Sequence, residues 1–331
     1  MKIVNLFYLS PNIYGGWATY TINLYWALRE TGVWVKLFKL RDKTNHRQSH
    51  DFGSGVPYYN ITLDDALKLP DPKVVVAGAR KFRAETDRFI ASGAFLVVHD
   101  PTELKNLPAL PPERTIVIRR AGLVFAPHAT FIRHPYRRAC NAGQDRVPAK
   151  SVHATSTARV DFDKHTDILL SANRLLPEEK RIVIRGFENR RYTKFNLIDK
   201  HGFTWKQDIS CFKRSASAAV DLLLPARFSV DMSAIVGDGG GTQYTFLEAW
   251  DAGAVLIINA AWNAAFPNDD MKPGDNCIAV HDAQELAGIL SSLAEDNPAY
   301  ISLRNGGWGA LSQHDPKLIG EQYLRALGVT L

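Results

Sequence analysis

Apolar residues recur along this chain in two rhythms. Short continuous runs alternate with longer segments in which the apolar positions return every three or four residues, so strands and amphipathic helices take turns. "KIVNLFYL" reads as a first strand, "ATYTINLYWALRETG" as an amphipathic helix that Gly32 ends, and "VWVKLFKL" as a second strand. "KVVVAGA" (73–79), "AFLVVHD" (94–100), "RTIVIRR" (114–120) and "GLVFAPH" (122–128) continue as short apolar strands. Runs that are apolar throughout are those of a parallel sheet buried on both faces. Residues 42–57, "DKTNHRQSHDFGSGVP", are polar and contain glycine, and predict a long mobile loop.

The pattern then restarts. "HTDILLSANRLLPEE" is helical, "KRIVIRGF" and "AVDLLLPA" are strands, and "VGDGGGTQYTFLEAWDAGAVLIIN" supplies a glycine turn, a helix and a strand. "NCIAV" is a further strand, while "DAQELAGILSSLAED" and "PKLIGEQYLRALGV" are helices. At 331 residues the chain is long enough for two cores. The expected architecture is α/β, with two Rossmann-like domains facing each other across a cleft. The first spans 1–148 and the second 149–314, with the boundary near 147–155 and a last helix, 315–328, returning to the first domain. Ligands in such sheets sit beyond the carboxyl ends of the strands, which puts the expected active site in the cleft.

Composition narrows the class. Hydrophobic content of 46% and aromatic content of 10% are those of a globular protein. The three cysteines, Cys140, Cys211 and Cys277, are scattered and odd in number, which argues against a disulfide framework or a zinc site. "MKIVNLFYLS" suits a strand better than a signal peptide, and no run approaches 18 apolar residues. The expected location is the cytoplasm.

Net charge is +6, from 40 Lys+Arg against 34 Asp+Glu, and it is unevenly spread. Residues 132–150 hold Arg133, Arg137, Arg138, Arg146 and Lys150 against Asp145 alone. Residues 36–47 hold Lys36, Lys39, Arg41, Lys43 and Arg47 against Asp42. Such clusters can meet the phosphates of a nucleic acid or an anionic membrane, or can be solvated faces.

Four stretches carry candidate chemistry. Gly15 and Gly16 join a strand to a helix, where backbone N–H groups make an anion site or an empty tight turn. His99 and Asp100 end an apolar strand, where they can hydrogen-bond a substrate hydroxyl and act as a base, or cap the next segment. Arg159 and Lys164, five apart before a helix, can converge on one anion such as a diphosphate leaving group. Between them Asp161 and Asp163 form a D-x-D of the kind that holds a divalent metal, without a second ligand cluster to support it. In the fourth stretch Gly239, Gly240 and Gly241 allow close backbone approach to a phosphate, and Thr242 is placed to cap the following helix. Glu248 lies about two turns inside that helix, where a buried carboxylate needs a partner: a ribose diol or a nearby arginine.

These stretches, in this order, resemble the retaining glycosyltransferases of GT-B architecture, family four in particular. The shared features are Gly15–Gly16, His99, Arg159 with Lys164, and Glu248 followed by "EAWDAGA". One departure is the position eight before Glu248, usually a second acid and here Gly240. The DNA α-glucosyltransferases of T-even bacteriophages also lack that acid, and the chain is similar to them in "YTFLE", "VVHD", the Arg…Lys spacing and "RGFENRRY". The resemblance covers most of the chain in motif order, at low identity.

The resemblance implies a nucleotide-sugar donor, UDP-glucose, with retention of anomeric configuration and no required metal or other cofactor. Glu248 would hold the ribose, Arg159 and Lys164 the diphosphate, and Gly15, Gly16, Gly240, Gly241 and Thr242 would line the donor. His99 and Asp100 would face sugar and acceptor. The implied acceptor is a hydroxymethylated pyrimidine flipped out of double-stranded DNA. Lys43, Arg47, Arg133, Arg137 and Arg138 would then meet DNA phosphates, joined by Arg185, Arg190 and Arg191. A polysaccharide, lipid-linked or small-molecule acceptor is the alternative. A non-catalytic nucleotide-sugar or DNA-binding module is a third reading, for which Gly240 is the argument. A nicotinamide enzyme is disfavoured because no G-x-G-x-x-G follows the first strand.

Overall fold

The computed structural model describes the chain except for residues 1, 10–14, 42, 50, 77–81, 100–102, 104–109, 140–149, 205–217, 235–239, 265–269 and 331, and except for the side chains of 45–49 and 263. Two compact units divide it: residues 1–137 with 313–331, and residues 138–312.

The first unit is built on an eight-stranded sheet. Its strands are β1 (Ile3–Tyr8), β2 (Trp34–Leu40), β3 (Asn45–Ser49), β4 (Tyr58–Ile61), β5 (Lys73–Val76), β6 (Phe95–Val98), β7 (Thr115–Val117) and β8 (Thr130–Phe131). Their order is β3-β4-β2-β1-β5-β6-β7-β8, parallel except for the β3–β4 pair. Central β1 is buried on both faces, with Val4, Leu6 and Phe7 fully enclosed, as an apolar run without alternation requires. Phe7 stacks on Phe38 and packs on Phe89, which joins the sheet to helix Arg83–Ala91.

Helix Gly16–Glu30 lies against the last helix, Pro316–Ala326, and the two touch closely. A Cβ on Gly320 would stand 2.3 Å from the Ala27 carbonyl oxygen, so only glycine fits that crossing. The Tyr20 and Tyr323 hydroxyls hydrogen-bond across it.

The second unit holds a five-stranded, all-parallel sheet of β9 (Val152–Ser156), β10 (Ile182–Ile184), β11 (Ala226–Asp231), β12 (Val255–Asn259) and β13 (Cys277–Val280). Their order is β10-β9-β11-β12-β13. Phe228, Val230, Ile257, Leu169, Leu286 and Tyr300 form its core. Helices start where the sequence offers caps: Asp282 accepts from Gln284 N and Glu285 N (both 2.9 Å), and Asn297 precedes Pro298 at the head of helix Pro298–Leu311.

Three expectations change. Residues 122–128 are not a strand: Gly122–Phe125 is a short helix with Val124 61% exposed, and the place beside β7 is taken by β8. "AVDLLLPA" is not a strand either. Ala218–Leu223 is a helix, and the strand begins after Pro225, which has no N–H to give a central ladder. The Pro225 carbonyl opens that ladder by accepting from Val152 N at 2.9 Å. Within 42–57, the polar segment Asn45–Ser49 is an antiparallel edge strand rather than loop, recruited by the open edge of β4. Strand β4 and helices Leu63–Lys68, Arg83–Ala91 and Pro298–Leu311 are elements the hydrophobic pattern did not single out.

Candidate functional site

In a parallel sheet all the carboxyl ends meet at one edge, and in the second unit three segments arrive there. Residues 157–164 follow β9, 232–234 follow β11, and 240–243 lead into helix Tyr244–Asp251.

Lys164 sits in the middle of this edge. It is 8% exposed, and its ammonium donates to Ser233 Oγ at 2.6 Å and to Gln243 Oε1 at 2.8 Å. The carboxylate it pairs with, Asp163, is 3.8 Å away and is shared with the Arg159 guanidinium at 3.3 Å. Two neutral acceptors and one shared acid surround this buried cation, with the Asp231 carboxylate standing behind Ser233. Burying such a charge costs several kcal/mol unless an anion answers it. An anion that met the Lys164 ammonium would lower that cost.

Ser233 is itself held. Asp231, 2% exposed at the end of β11, accepts from Ser233 N at 3.0 Å, from the Ser233 hydroxyl, and from Thr245 Oγ1 at 2.6 Å. The glycines complete the cradle: Gly240 and Gly241 are buried with φ of 77° and 111°, a backbone that side chains rarely adopt. The Gly241 carbonyl accepts from Trp262 Nε1 at 2.8 Å. Gly239 lies outside the described residues.

Glu248 stands on the same helix, one turn past Thr245. Among the described residues no hydrogen bond or ion pair engages its carboxylate. Burial first, then the nearby Asp251 and Asp231 carboxylates, push its pKa up to about 8. A ligand that donates two hydroxyl protons would reverse that cost.

Arg159 differs from Lys164. Its side chain is 55% exposed and engages Asp161 at 2.8 Å and Asp163 at 3.3 Å. Asp161 also accepts from Phe162 N and Asn189 Nδ2. The D-x-D acids thus hold an arginine, and among the described residues no three acids, histidines or cysteines form a metal-sized group. Thr242 is not the helix cap: its hydroxyl donates to Asp270 at 2.8 Å, and the capping position is Gln243.

In the first unit the structure brings two of the expected stretches together. Gly15, with φ 85°, precedes helix Gly16–Glu30. From that helix Trp17 and Tyr20 place their rings 5.8 and 4.7 Å from the His99 ring. His99 follows β6, is 6% exposed, and its backbone N–H donates to Glu103 at 3.0 Å. Its Nε2 has no hydrogen-bond partner among the described residues. Burial, then the positive Arg119, drive its pKa down to about 3, so the imidazole is neutral at ordinary pH. Asp100 lies outside the described residues.

The basic clusters are only partly solvated. Lys43, Arg137, Arg138, Arg190 and Arg191 are exposed, the last two opening a turn that Asn189 caps. Arg137 stacks over Trp26 at 4.7 Å and lies 3.9 Å from Glu30, while Arg133 is half-buried beside Phe131. Lys39 is 4% exposed, and Lys150 donates to the carbonyls of Leu224 and Ala252, both at 2.8 Å. These two are not part of a solvated face. The Arg47 side chain and all of Arg146 lie outside the described residues. No helix among the described residues is long and apolar enough to cross a membrane.

Ser233, Gln243, Asp231 and Asp270 were not singled out from the sequence. Asp231 closes the strand that begins after Pro225 and Ser233 follows two residues on, a placement that the local apolar pattern does not fix.

No protein-family model matches the chain, and no curated protein sequence matches it. Solved structures do. Anabaena HepE in complex with UDP-glucose superposes with a TM-score of 0.70 at 14% identity, covering 98% of this chain and 99% of that one. An alpha-glucosyltransferase in complex with UDP-glucose and DNA containing an abasic site gives 0.69 at 13% identity, covering 98% and 99%. The pneumococcal O-GlcNAc transferase GtfA in complex with UDP and GlcNAc gives 0.64 at 11%, covering 98% of each chain. The chain has the GT-B glycosyltransferase fold, with two parallel-sheet Rossmann-like domains.

Proposed function

We propose that the protein is a retaining glycosyltransferase that moves glucose from UDP-glucose to a hydroxymethylated pyrimidine in double-stranded DNA. The observation that carries the donor half is Lys164, a buried ammonium held by neutral oxygens beside a glycine turn and a helix N-terminus. The fold supports it, since three proteins of that fold hold UDP or UDP-glucose.

In this mechanism the second domain holds the nucleotide. Glu248 accepts hydrogen bonds from the two ribose hydroxyls, and Lys164 with Arg159 meets the diphosphate, together with the backbone N–H groups around Gly240, Gly241 and Thr242. Negative charge grows on the diphosphate as the glycosidic bond breaks, and the preorganised cations stabilise it most at that moment. In the first domain Gly15 and Gly16 approach the donor from their turn. Neutral His99 hydrogen-bonds the sugar, and Asp100 faces the incoming hydroxyl. No metal takes part. Lys43, Arg47, Arg133, Arg137, Arg138, Arg190 and Arg191 meet DNA phosphates.

A second reading keeps the donor site and changes the acceptor to a polysaccharide, a lipid-linked sugar or a small molecule. It is favoured by Lys39 and Lys150, cations of the basic clusters that are engaged within the protein.

The experiment is to incubate the protein with nucleotide sugars and with modified or unmodified DNA, then weigh the nucleosides by mass spectrometry. A hexose mass on the hydroxymethylated pyrimidine is expected. UDP-sugar turnover without any mass on DNA would remove the DNA acceptor and leave the second reading. Binding to hydroxymethylated duplex should fall at least tenfold between about 50 and 200 mM salt; a flat response speaks against phosphate contacts.

A further inference from the structure

Lys164 is held by two side chains more than sixty residues away in the chain, Ser233 and Gln243. Gln243 precedes helix Tyr244–Asp251, and its Oε1 accepts from the Lys164 ammonium at 2.8 Å. An ammonium has three N–H groups and no acceptor, so this contact fixes which end of the carboxamide faces it. The other end, Gln243 Nε2, is buried and has no hydrogen-bond partner among the described residues. Ser233 Oγ accepts a second hydrogen bond from the Lys164 ammonium at 2.6 Å, and Asp231 holds Ser233 through both its backbone N–H and its hydroxyl. Two of the three ammonium protons are thereby fixed in direction by neutral oxygens, and the third has Asp163 at 3.8 Å, an acid shared with Arg159.

We infer that Gln243 and Ser233, the latter anchored by Asp231, are positioning residues that aim Lys164 at the diphosphate, and that Gln243 must be neutral to do so. The inference rests on the donor reading above. A carboxylate in place of the carboxamide would keep the contact but cancel the charge, because Lys164 would then hold a full counter-ion at hydrogen-bonding distance. The orphaned Nε2 fits the same role, since a buried N–H pair is costly until a ligand oxygen meets it.

Gln243→Glu is therefore the discriminating variant, since a purely structural glutamine would tolerate it. UDP and uridine are measured on the intact protein by calorimetry and ligand-observed NMR, with melting temperature alongside. The expected result for Gln243→Glu is UDP affinity lowered at least tenfold, uridine affinity unchanged and melting temperature not lowered. Ser233→Ala should lower UDP affinity over uridine in the same sense, and Ser233→Thr should restore it. Unchanged UDP affinity in Gln243→Glu, or an equal loss of UDP and uridine, overturns the inference.

Lys164→Ala separates this from the donor reading. If it loses UDP over uridine while Gln243→Glu does not, positioning by Gln243 fails and the diphosphate site stands. If Lys164→Ala leaves the preference for UDP over uridine unchanged, the diphosphate site fails and the inference with it.

Discussion

At the scale of single residues, the two cations separated by five positions stand in different surroundings. Arg159 is exposed and already paired with Asp161 and Asp163, whereas Lys164 is buried and faces neutral oxygens. Both substitutions to alanine should abolish transfer without unfolding the protein, measured by turnover and circular dichroism. The larger loss of UDP affinity is expected at Lys164. Because Arg159 occupies both D-x-D acids, a chelator should leave transfer unchanged; complete, metal-reversible loss of activity would contradict that arrangement. Glu248 gives a sharper test. With its pKa near 8 against an ordinary 4.5, the free protein holds a proton there across that window which the unfolded chain does not. Its contribution to stability is present at low pH and is lost as pH rises toward 8. Two hydroxyl donors from a ribose favour the carboxylate, so UDP binding at pH 7 should release a proton. Calorimetry in buffers of different ionisation enthalpy measures it. Glu248→Gln should show no release, much weaker UDP binding, and a higher melting temperature than wild type at pH 8.

Elements explain why the site is where it is. Moving the second-domain strand to Ala226–Asp231 puts Asp231 at its carboxyl end, with Ser233 two residues on, at the edge where α/β sheets bind ligands. Pro225 forces that shift because it cannot donate within a central ladder. In the first unit, helix Gly16–Glu30 carries Trp17 and Tyr20 to His99, and the last helix fixes it from behind through Tyr323. That crossing depends on Gly320, whose missing Cβ leaves room for the Ala27 carbonyl. Gly320→Ala should destabilise the protein by about 1–3 kcal/mol, as overpacking does. Chemical denaturation measures it, and an unchanged midpoint would mean that the helices move apart freely.

At the scale of the whole molecule, acid is the expected weak point. His99 and His134 are buried and held neutral, His99 down to about 3 and His134 well below its ordinary value, in both cases by burial first and by Arg119 next. The unfolded chain takes up those protons near pH 6.5 and the folded one does not, so stability falls as pH drops below about 6.5. Glu248 acts in the opposite sense over part of that range. The decline should therefore show most clearly in Glu248→Gln, followed by melting temperature between pH 7 and pH 5. A flat profile there would mean that the histidines titrate normally in the folded state.

The sequence by itself determined the alternation of strands and helices, the restart that makes two α/β halves, and the order of the glycine, histidine, cation and glutamate stretches. Those features are local: a strand's apolar run, a helix's period and a glycine's positive φ are written in neighbouring residues. It misread 122–128 and 219–226, because a short apolar run is equally a strand or a turn of helix until its partners are known. It also read Asn45–Ser49 as loop, because an edge strand is made by the neighbour it pairs with. Only the tertiary structure decided which cations are free for an anion. Charge is a property of a residue, but its availability depends on what lies within a few ångströms: Lys150 meets two carbonyls, Arg137 a tryptophan, and Lys164 a serine and a glutamine more than sixty residues away.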